Sequence, residues 1–116
     1  QIDIDSFKYF DYLFLIDLED NFLSSDILEL GKIDSIKSLN LKNNNLNKIN
    51  NKIFDSLDSL VELNLDNNLI DEFKLKFNTR IHSFLRTLSL NSNRLEKIKY
   101  WYFFGLRSLK ILKLSF

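Results

Sequence analysis

Residues suited to catalysis or metal binding are few in this 116-residue chain. There is one histidine, His82, and no cysteine, so the chain cannot assemble a histidine cluster or a thiolate metal site. Asp3 and Asp5 alternate near the N-terminus, and a solvated start of the chain explains them better than a cation site does. The only glycines are Gly31 and Gly105, so no glycine-rich phosphate loop exists. The sequence therefore predicts no enzyme, no metal and no cofactor.

Asparagine is the polar residue that recurs with regular spacing. Four asparagines are separated in turn by 23, 24 and 25 residues: Asn21, Asn44, Asn68 and Asn93. An asparagine amide has two N–H donors and one acceptor, so it can satisfy backbone groups where a buried chain turns. We expect these side chains to form a structural ladder that takes the place of glycine and proline turns. The other asparagines, among them Asn45, Asn47, Asn50 and Asn51, are expected in solvated loops.

Each of these four asparagines has apolar residues at fixed offsets. Three lie eight, five and three positions before it, and a fourth lies two positions after it. Ile36, Leu39 and Leu41 form one such triplet, and the incomplete copy at the C-terminus begins at Leu109. Alternation around the middle residue predicts a short strand with alternate side chains inward. Stacked copies would form a parallel sheet and bury a shared core that no single repeat can bury alone.

The repeats together are expected to form one solenoid domain. We expect a partial repeat at 1–12, repeats at 13–35, 36–59, 60–84 and 85–108, and a partial repeat at 109–116, as a segment of a longer array. In the second half of the repeats, Ile49 and Ile98 share one offset from their asparagines, as Phe54 and Phe103 share another, and all four are expected inward. The return segment at 71–84 is the least regular. The run Tyr100-Trp101-Tyr102 falls on the convex side and is expected to pack against neighbouring coils; the alternative is a partner site.

Three strings carry a resemblance to a known family: Ile53-Phe54-Asp55-Ser56-Leu57, Leu88-Ser89-Leu90-Asn91-Ser92-Asn93-Arg94-Leu95 and Phe103-Phe104-Gly105-Leu106-Arg107-Ser108-Leu109. They resemble the typical, 24-residue, Phe-containing subclass of leucine-rich repeats found in Toll-like, Slit-like and hormone-receptor ectodomains, and the likeness covers nearly the whole chain. It implies an α/β-type solenoid, a right-handed coil with a parallel concave sheet and a mostly irregular convex side. It also implies a protein or peptide ligand on the concave face. The family's usual proline and its Cys-rich caps are missing.

The polar positions around the strands are expected to line that concave face. The candidate binding residues are Phe14, Asp17, Glu19, Asn40, Lys42, Asn64, Asp66, Arg86, Ser89, Asn91 and Lys113. Acidic residues gather in the first repeat and basic ones in the last, while Lys42 lies between Glu19 and Asp66 and can pair laterally. Such a trough suits a protein partner of matching polarity. The alternative interpretation is an ordinary solvated sheet face.

Charge and hydropathy narrow the choice of partners. The chain has 16 basic and 16 acidic residues, and the lack of a basic excess argues against nucleic acid. Its longest apolar run, 12–16, is far short of the roughly 20 residues that a membrane span needs.

Apolar residues at uncapped ends, such as Phe10 and Leu114, predict self-association. We expect an extracellular or cell-surface location; the alternative is a cytoplasmic scaffold, which the absence of any Asn-x-Ser/Thr glycosylation motif favours.

Overall fold

The computed structural model describes residues 6–7, 9–25, 30, 33–49, 57–73 and 84–116. The strands in this part of the chain are β1 (Leu15–Asp17), β2 (Ser38–Asn40), β3 (Lys48–Ile49), β4 (Glu62–Asn64), β5 (Glu72–Phe73), β6 (Thr87–Ser89) and β7 (Ile111–Lys113). Five of them form one parallel sheet in the order β1-β2-β4-β6-β7. The strands β3 and β5 form a second, two-stranded parallel sheet.

The register of the larger sheet follows the apolar triplets. The middle residue of each triplet pairs with the middle residue of the next, as Leu39 does with Leu63 and Leu63 with Leu88. The segments that return from one strand to the next contain turns, and no residue of the described ranges is helical. The expected solenoid, with a parallel sheet and irregular return segments, is therefore confirmed.

The core runs through the inside of every described coil. Leu39, Leu63 and Leu88 are at most 2% exposed, and each contributes about 1.5–3 kcal/mol through burial. Residues from the return segments, such as Leu30 and Leu57, are buried in the same cluster. Each coil supplies apolar groups to its neighbours on both sides, which is why the repeats are stable only as a stack.

One expectation about the return segments was wrong, and a second was confirmed for one residue alone. Ile98 is 41% exposed, whereas Ile49 at the equivalent offset is 1% exposed. In the later coil, Tyr102 lies in the turn at 100–105 and belongs to the core. Of the run Tyr100-Trp101-Tyr102, only Tyr102 is buried, at 5% exposure, whereas Tyr100 is 88% and Trp101 43% exposed. The predictions for Asp3, Asp5, Asn50, Asn51, Phe54 and His82, and for most of the irregular segment 71–84, lie outside the described residues.

The turn that follows each sheet strand is made by the residue before the regularly spaced asparagine. These residues have positive φ angles of 52–58° and are Asp20, Asn43, Asn67 and Ser92. Asparagine and aspartate tolerate this left-handed region better than other non-glycine residues. The expectation that the asparagine slot itself replaces glycine is thus corrected, because the preceding residue takes the unusual backbone conformation.

Candidate functional site

The regularly spaced asparagines form hydrogen bonds between adjacent coils. The Asn68 Nδ2 donates to the Leu65 carbonyl of its own coil, at 3.1 Å, and to the Leu41 carbonyl of the preceding coil, at 2.9 Å. Its Oδ1 accepts a hydrogen bond from the Leu46 backbone N–H at 3.0 Å. Asn44 and Asn93 repeat this pattern. The four regularly spaced asparagines are called here the asparagine column. The column therefore positions the turn that ends each strand of the larger sheet.

Asn21 has a smaller set of bonds than the other three members. It is exposed, and its Nδ2 donates to the carbonyls of Leu18 and Glu19 within its own coil. In the described residues no buried side-chain nitrogen or oxygen lacks a hydrogen-bond partner. Desolvated polar groups are thus paired, as a stable interior requires.

A trough of about 330 Å³ crosses the outward face of the larger sheet. Six of the predicted binding residues line it, namely Asp17, Asn40, Asn64, Asp66, Ser89 and Lys113. The other five lie beside the trough and not in its lining: Phe14, Glu19, Lys42, Arg86 and Asn91. Phe14 and Arg86 are exposed and lie one residue before β1 and β6. The backbone carbonyl of each accepts hydrogen bonds from two backbone N–H groups of the next coil.

Six residues of the lining are not in the predicted set: Leu15, Ser38, Leu39, Glu62, Leu63 and Thr87. Leu39 and Leu63 are buried mid-strand residues at the floor of the trough, and each of the other four is the first residue of its strand. The same alternation that placed Asp17 and Asn40 outward also places these four residues outward. The sequence signal was therefore available for them, although it identifies a face and not the residues that carry affinity.

Side chains at the β1–β2 end of the trough are joined by hydrogen bonds. The Asn40 Nδ2 donates to Asp17 Oδ1 at 3.0 Å and to Glu19 Oε2 at 2.9 Å. Lys42 Nζ lies 2.7 Å from Glu19 Oε1 in an ion pair. The hydrogen bond from Lys42, followed by that from Asn40, lowers the pKa of Glu19, and the same bond to Glu19 raises the pKa of Lys42.

A second set of bonds joins β4 to β6 and β7. Asp66 Oδ1 accepts hydrogen bonds from Ser89 Oγ and from the Asn91 backbone N–H, both at 2.7 Å. Asn91 Oδ1 in turn accepts one from the Ser115 backbone N–H at 2.8 Å. The first set links the coils of β1 and β2, and the second links the coils of β4, β6 and β7, the last through the Ser115 backbone. The polar side chains in these two sets are consequently held in defined positions before any ligand arrives.

A larger groove of about 670 Å³ lies away from the sheet face. Its lining mixes cations and anions: Lys48, Asp71, Glu72, Arg94, Glu96, Lys97, Lys99 and Tyr102. Across the described residues, no group of three or more His, Asp or Glu side chains is placed to hold a metal ion. The described part of the chain also has no helix long and apolar enough to cross a membrane.

Comparison with known protein families identifies part of the repeat region. Residues 30–73, which include β2, β3, β4 and β5, match the family model described as "Leucine rich repeat". A search of curated proteins finds no significant relative. The matched region contains the complete coil that runs from β2 to β4 and the asparagines at 44 and 68. The match identifies the repeat family and does not distinguish among its subclasses.

Proposed function

We propose that this chain, which is a leucine-rich-repeat protein, holds a protein or peptide ligand in the trough on the concave face of its sheet. Leucine-rich repeats are in general protein-interaction modules without catalytic activity, and we assign this chain no reaction. The observation that carries the proposal is the set of hydrogen bonds that holds four polar side chains of the trough, those of Asp17, Asn40, Asp66 and Ser89. A surface ordered in advance loses less conformational entropy when a ligand binds.

The charges of this face suggest the polarity of the ligand. Asp17, Glu62 and Asp66 line the trough on the side of β1, β2 and β4, whereas Lys113 lines it at β7. Exposed Arg86 and Lys110 precede β6 and β7 on the basic side. A ligand that crosses the strands with a basic segment over β1–β4 and an acidic segment over β6–β7 would match both ends.

The cellular setting that we propose is a receptor or adhesion ectodomain at the cell surface. The support is the resemblance of the Phe-containing repeats to those of such ectodomains. A cytoplasmic scaffold or regulator is the second candidate, favoured by the absence of Asn-x-Ser/Thr motifs. Protease treatment of intact cells that express the full-length protein distinguishes the two, because only a surface ectodomain is cleaved.

A random peptide library displayed on phage provides a defined probe of the trough. We expect peptides selected on the wild-type protein to lose at least about tenfold in affinity for Lys113→Glu or Glu62→Lys, since each reversal places a like charge against the ligand. Binding is measured by titration calorimetry with the synthetic peptides. Tyr12→Ser is the matched control, because Tyr12 is 84% exposed and lies outside the trough.

The proposal fails if the selected peptides are insensitive to both charge reversals while the variants unfold in urea like the wild type. A peptide that loses affinity for the Tyr12→Ser control instead would place the binding surface at the N-terminal coil. Peptides enriched in basic residues at one end and acidic residues at the other would support the orientation given above.

A further inference from the structure

An exposed cluster of aromatic, aliphatic and lysine side chains lies outside the concave face. It consists of Lys97, Ile98, Lys99, Tyr100, Trp101 and Phe104, and is called here the aromatic–basic patch. Tyr100 is 88% exposed, Phe104 65%, Trp101 43% and Ile98 41%. Contiguous apolar exposure of this kind marks an interaction surface in soluble domains. None of the six residues lines the trough.

The charge around this patch is positive within its own segment and mixed beyond it. Residues 94–107 contain four basic residues and one acidic residue, Glu96, whereas Asp71 and Glu72 line the same groove as Lys97 and Lys99. Arg94, Lys97, Lys99 and Arg107 are all exposed. The patch therefore combines apolar and aromatic groups with a local excess of cations, and it suits an anionic surface that also offers an apolar layer.

We propose that the aromatic–basic patch binds the surface of an anionic lipid bilayer, independently of the concave trough. Tyrosine and tryptophan favour the boundary between headgroups and acyl chains, because their rings are apolar and their polar atoms stay hydrated. Ile98 and Phe104 enter the apolar side of this boundary, while the ammonium groups of Lys97 and Lys99 remain among anionic headgroups. The chain lies on the membrane and does not cross it.

The geometry around Trp101 disfavours nucleic acid at this patch. The Tyr100 ring packs edge-on against the Trp101 ring, with centroids 4.8 Å apart and planes at 82°. Lys99 Nζ lies 5.4 Å from the centroid of the same indole. Binding of single-stranded nucleic acid relies on bases that stack on open aromatic faces, and both neighbours of Trp101 compete for its surface.

The cations of the patch favour lipid over a protein partner. The two closest in sequence to the aromatic residues are Lys97 and Lys99, and lysine is depleted in protein–protein interfaces, where arginine is the enriched cation. Interfacial membrane elements, in contrast, are rich in lysine beside tryptophan and phenylalanine. The composition of the patch thus resembles a membrane-surface element.

Intrinsic fluorescence tests the proposal, since Trp101 is the single tryptophan of the chain. Vesicles of phosphatidylcholine with phosphatidylserine are compared with vesicles of phosphatidylcholine alone. We expect a blue shift of Trp101 emission and co-sedimentation with the anionic vesicles, both weakened by high salt. Lys97→Gln with Lys99→Gln should lower the partition coefficient about 25-fold, at roughly fivefold for each lysine near the surface.

Matched variants separate the patch from general stickiness. Phe104→Ser should lower partitioning about tenfold through lost apolar contact, whereas Tyr12→Ser and Lys37→Gln, both exposed elsewhere, should leave it unchanged. Equal binding to neutral vesicles, or no binding to anionic ones, overturns the proposal. A shift of Trp101 emission with soluble polyglutamate or oligothymidine, and none with vesicles, overturns it in favour of a protein or nucleic-acid site. None of these outcomes affects the trough, whose peptides are tested separately.

Discussion

At each turn after a sheet strand, two adjacent residues have separate structural roles. The first, as Asn67 shows, adopts a left-handed backbone conformation with φ of 52°. The second, Asn68, is 4% exposed and uses its amide to join two coils. Asparagine is favourable in both places for different reasons, and this explains how the chain turns repeatedly with two glycines and no proline.

Asn68→Ala should lower the free energy of unfolding by about 1–3 kcal/mol, because it leaves the Leu46 N–H buried without its partner and removes one of the two amide donors to the Leu41 carbonyl. Urea unfolding of the two proteins measures the difference. Asn47→Ala is the control, since Asn47 is exposed, and it should change stability by less than about 0.5 kcal/mol. Equal effects of the two substitutions would contradict a structural role for the column.

Asn67→Val should destabilise the protein by about 1–2 kcal/mol, because a β-branched side chain at positive φ clashes with the backbone. Asn45 is also exposed and its φ is not positive, so Asn45→Val provides the comparison and should cost much less. Thermal unfolding of both variants measures the effect. A milder loss for Asn67→Val than for Asn45→Val would argue against backbone strain at this turn.

At the level of elements, neighbouring strands are joined by side chains as well as by backbone. Glu19 and Lys42 follow β1 and β2, and their ion pair connects the two coils at 2.7 Å. Both groups are solvent-accessible, so salt screens the attraction and the pair adds modestly to stability. Its main consequence is to hold Lys42 toward β1 and not toward Asp66.

The coupling between Glu19 and Lys42 should depend on pH in two directions. The pKa of Glu19 is lowered from 4.5 in the folded protein, so its contribution is present above pH 4.5 and is lost as pH falls through the lowered value. The pKa of Lys42 is raised from 10.5, so its contribution is present below pH 10.5 and is lost as pH rises through the raised value. A double-mutant cycle with Glu19→Gln and Lys42→Gln measures the coupling. A coupling unchanged in acid would contradict the pair.

The elements also show what sequence can and cannot predict. The register of β2 with β4 was predictable, because slipping the strand by one residue would turn Leu39 or Leu63 to solvent. The exposure of Ile98 was not predictable, since its offset equals that of buried Ile49. The burial of Tyr102 was not predictable either, because its exposed neighbours Tyr100 and Trp101 are also aromatic. The spacing also does not decide whether Lys42 pairs with Glu19 or with Asp66. Both acidic residues occupy the position equivalent to Lys42, one in the preceding repeat and one in the following repeat.

For the whole molecule, stability should be greatest in the middle of the stack. Leu63 on β4 is 2% exposed between two paired strands, whereas Leu112 on the edge strand β7 is 37% exposed. We expect Leu63→Ala to cost about 2–5 kcal/mol and Leu112→Ala clearly less. Urea unfolding compares the variants, and amide hydrogen exchange should be slower at β4 than at β7. Uniform exchange along the sheet would contradict this nearest-neighbour description.

The asparagine column also gives the stack a direction. Asn44, Asn68 and Asn93 each bind the coil that precedes their own, as Asn93 does by accepting from the Ile70 N–H and donating to the Leu65 carbonyl. Detaching a coil from the C-terminal side therefore leaves backbone groups of the preceding coil, such as the Ile70 N–H, without their side-chain partner. Detaching a coil from the N-terminal side breaks the same kinds of bond between coils, but the group of the column left on the remaining stack is a side-chain amide, which water can solvate as it does the exposed Asn21. Under mechanical load, the chain should peel more readily from its N-terminal end.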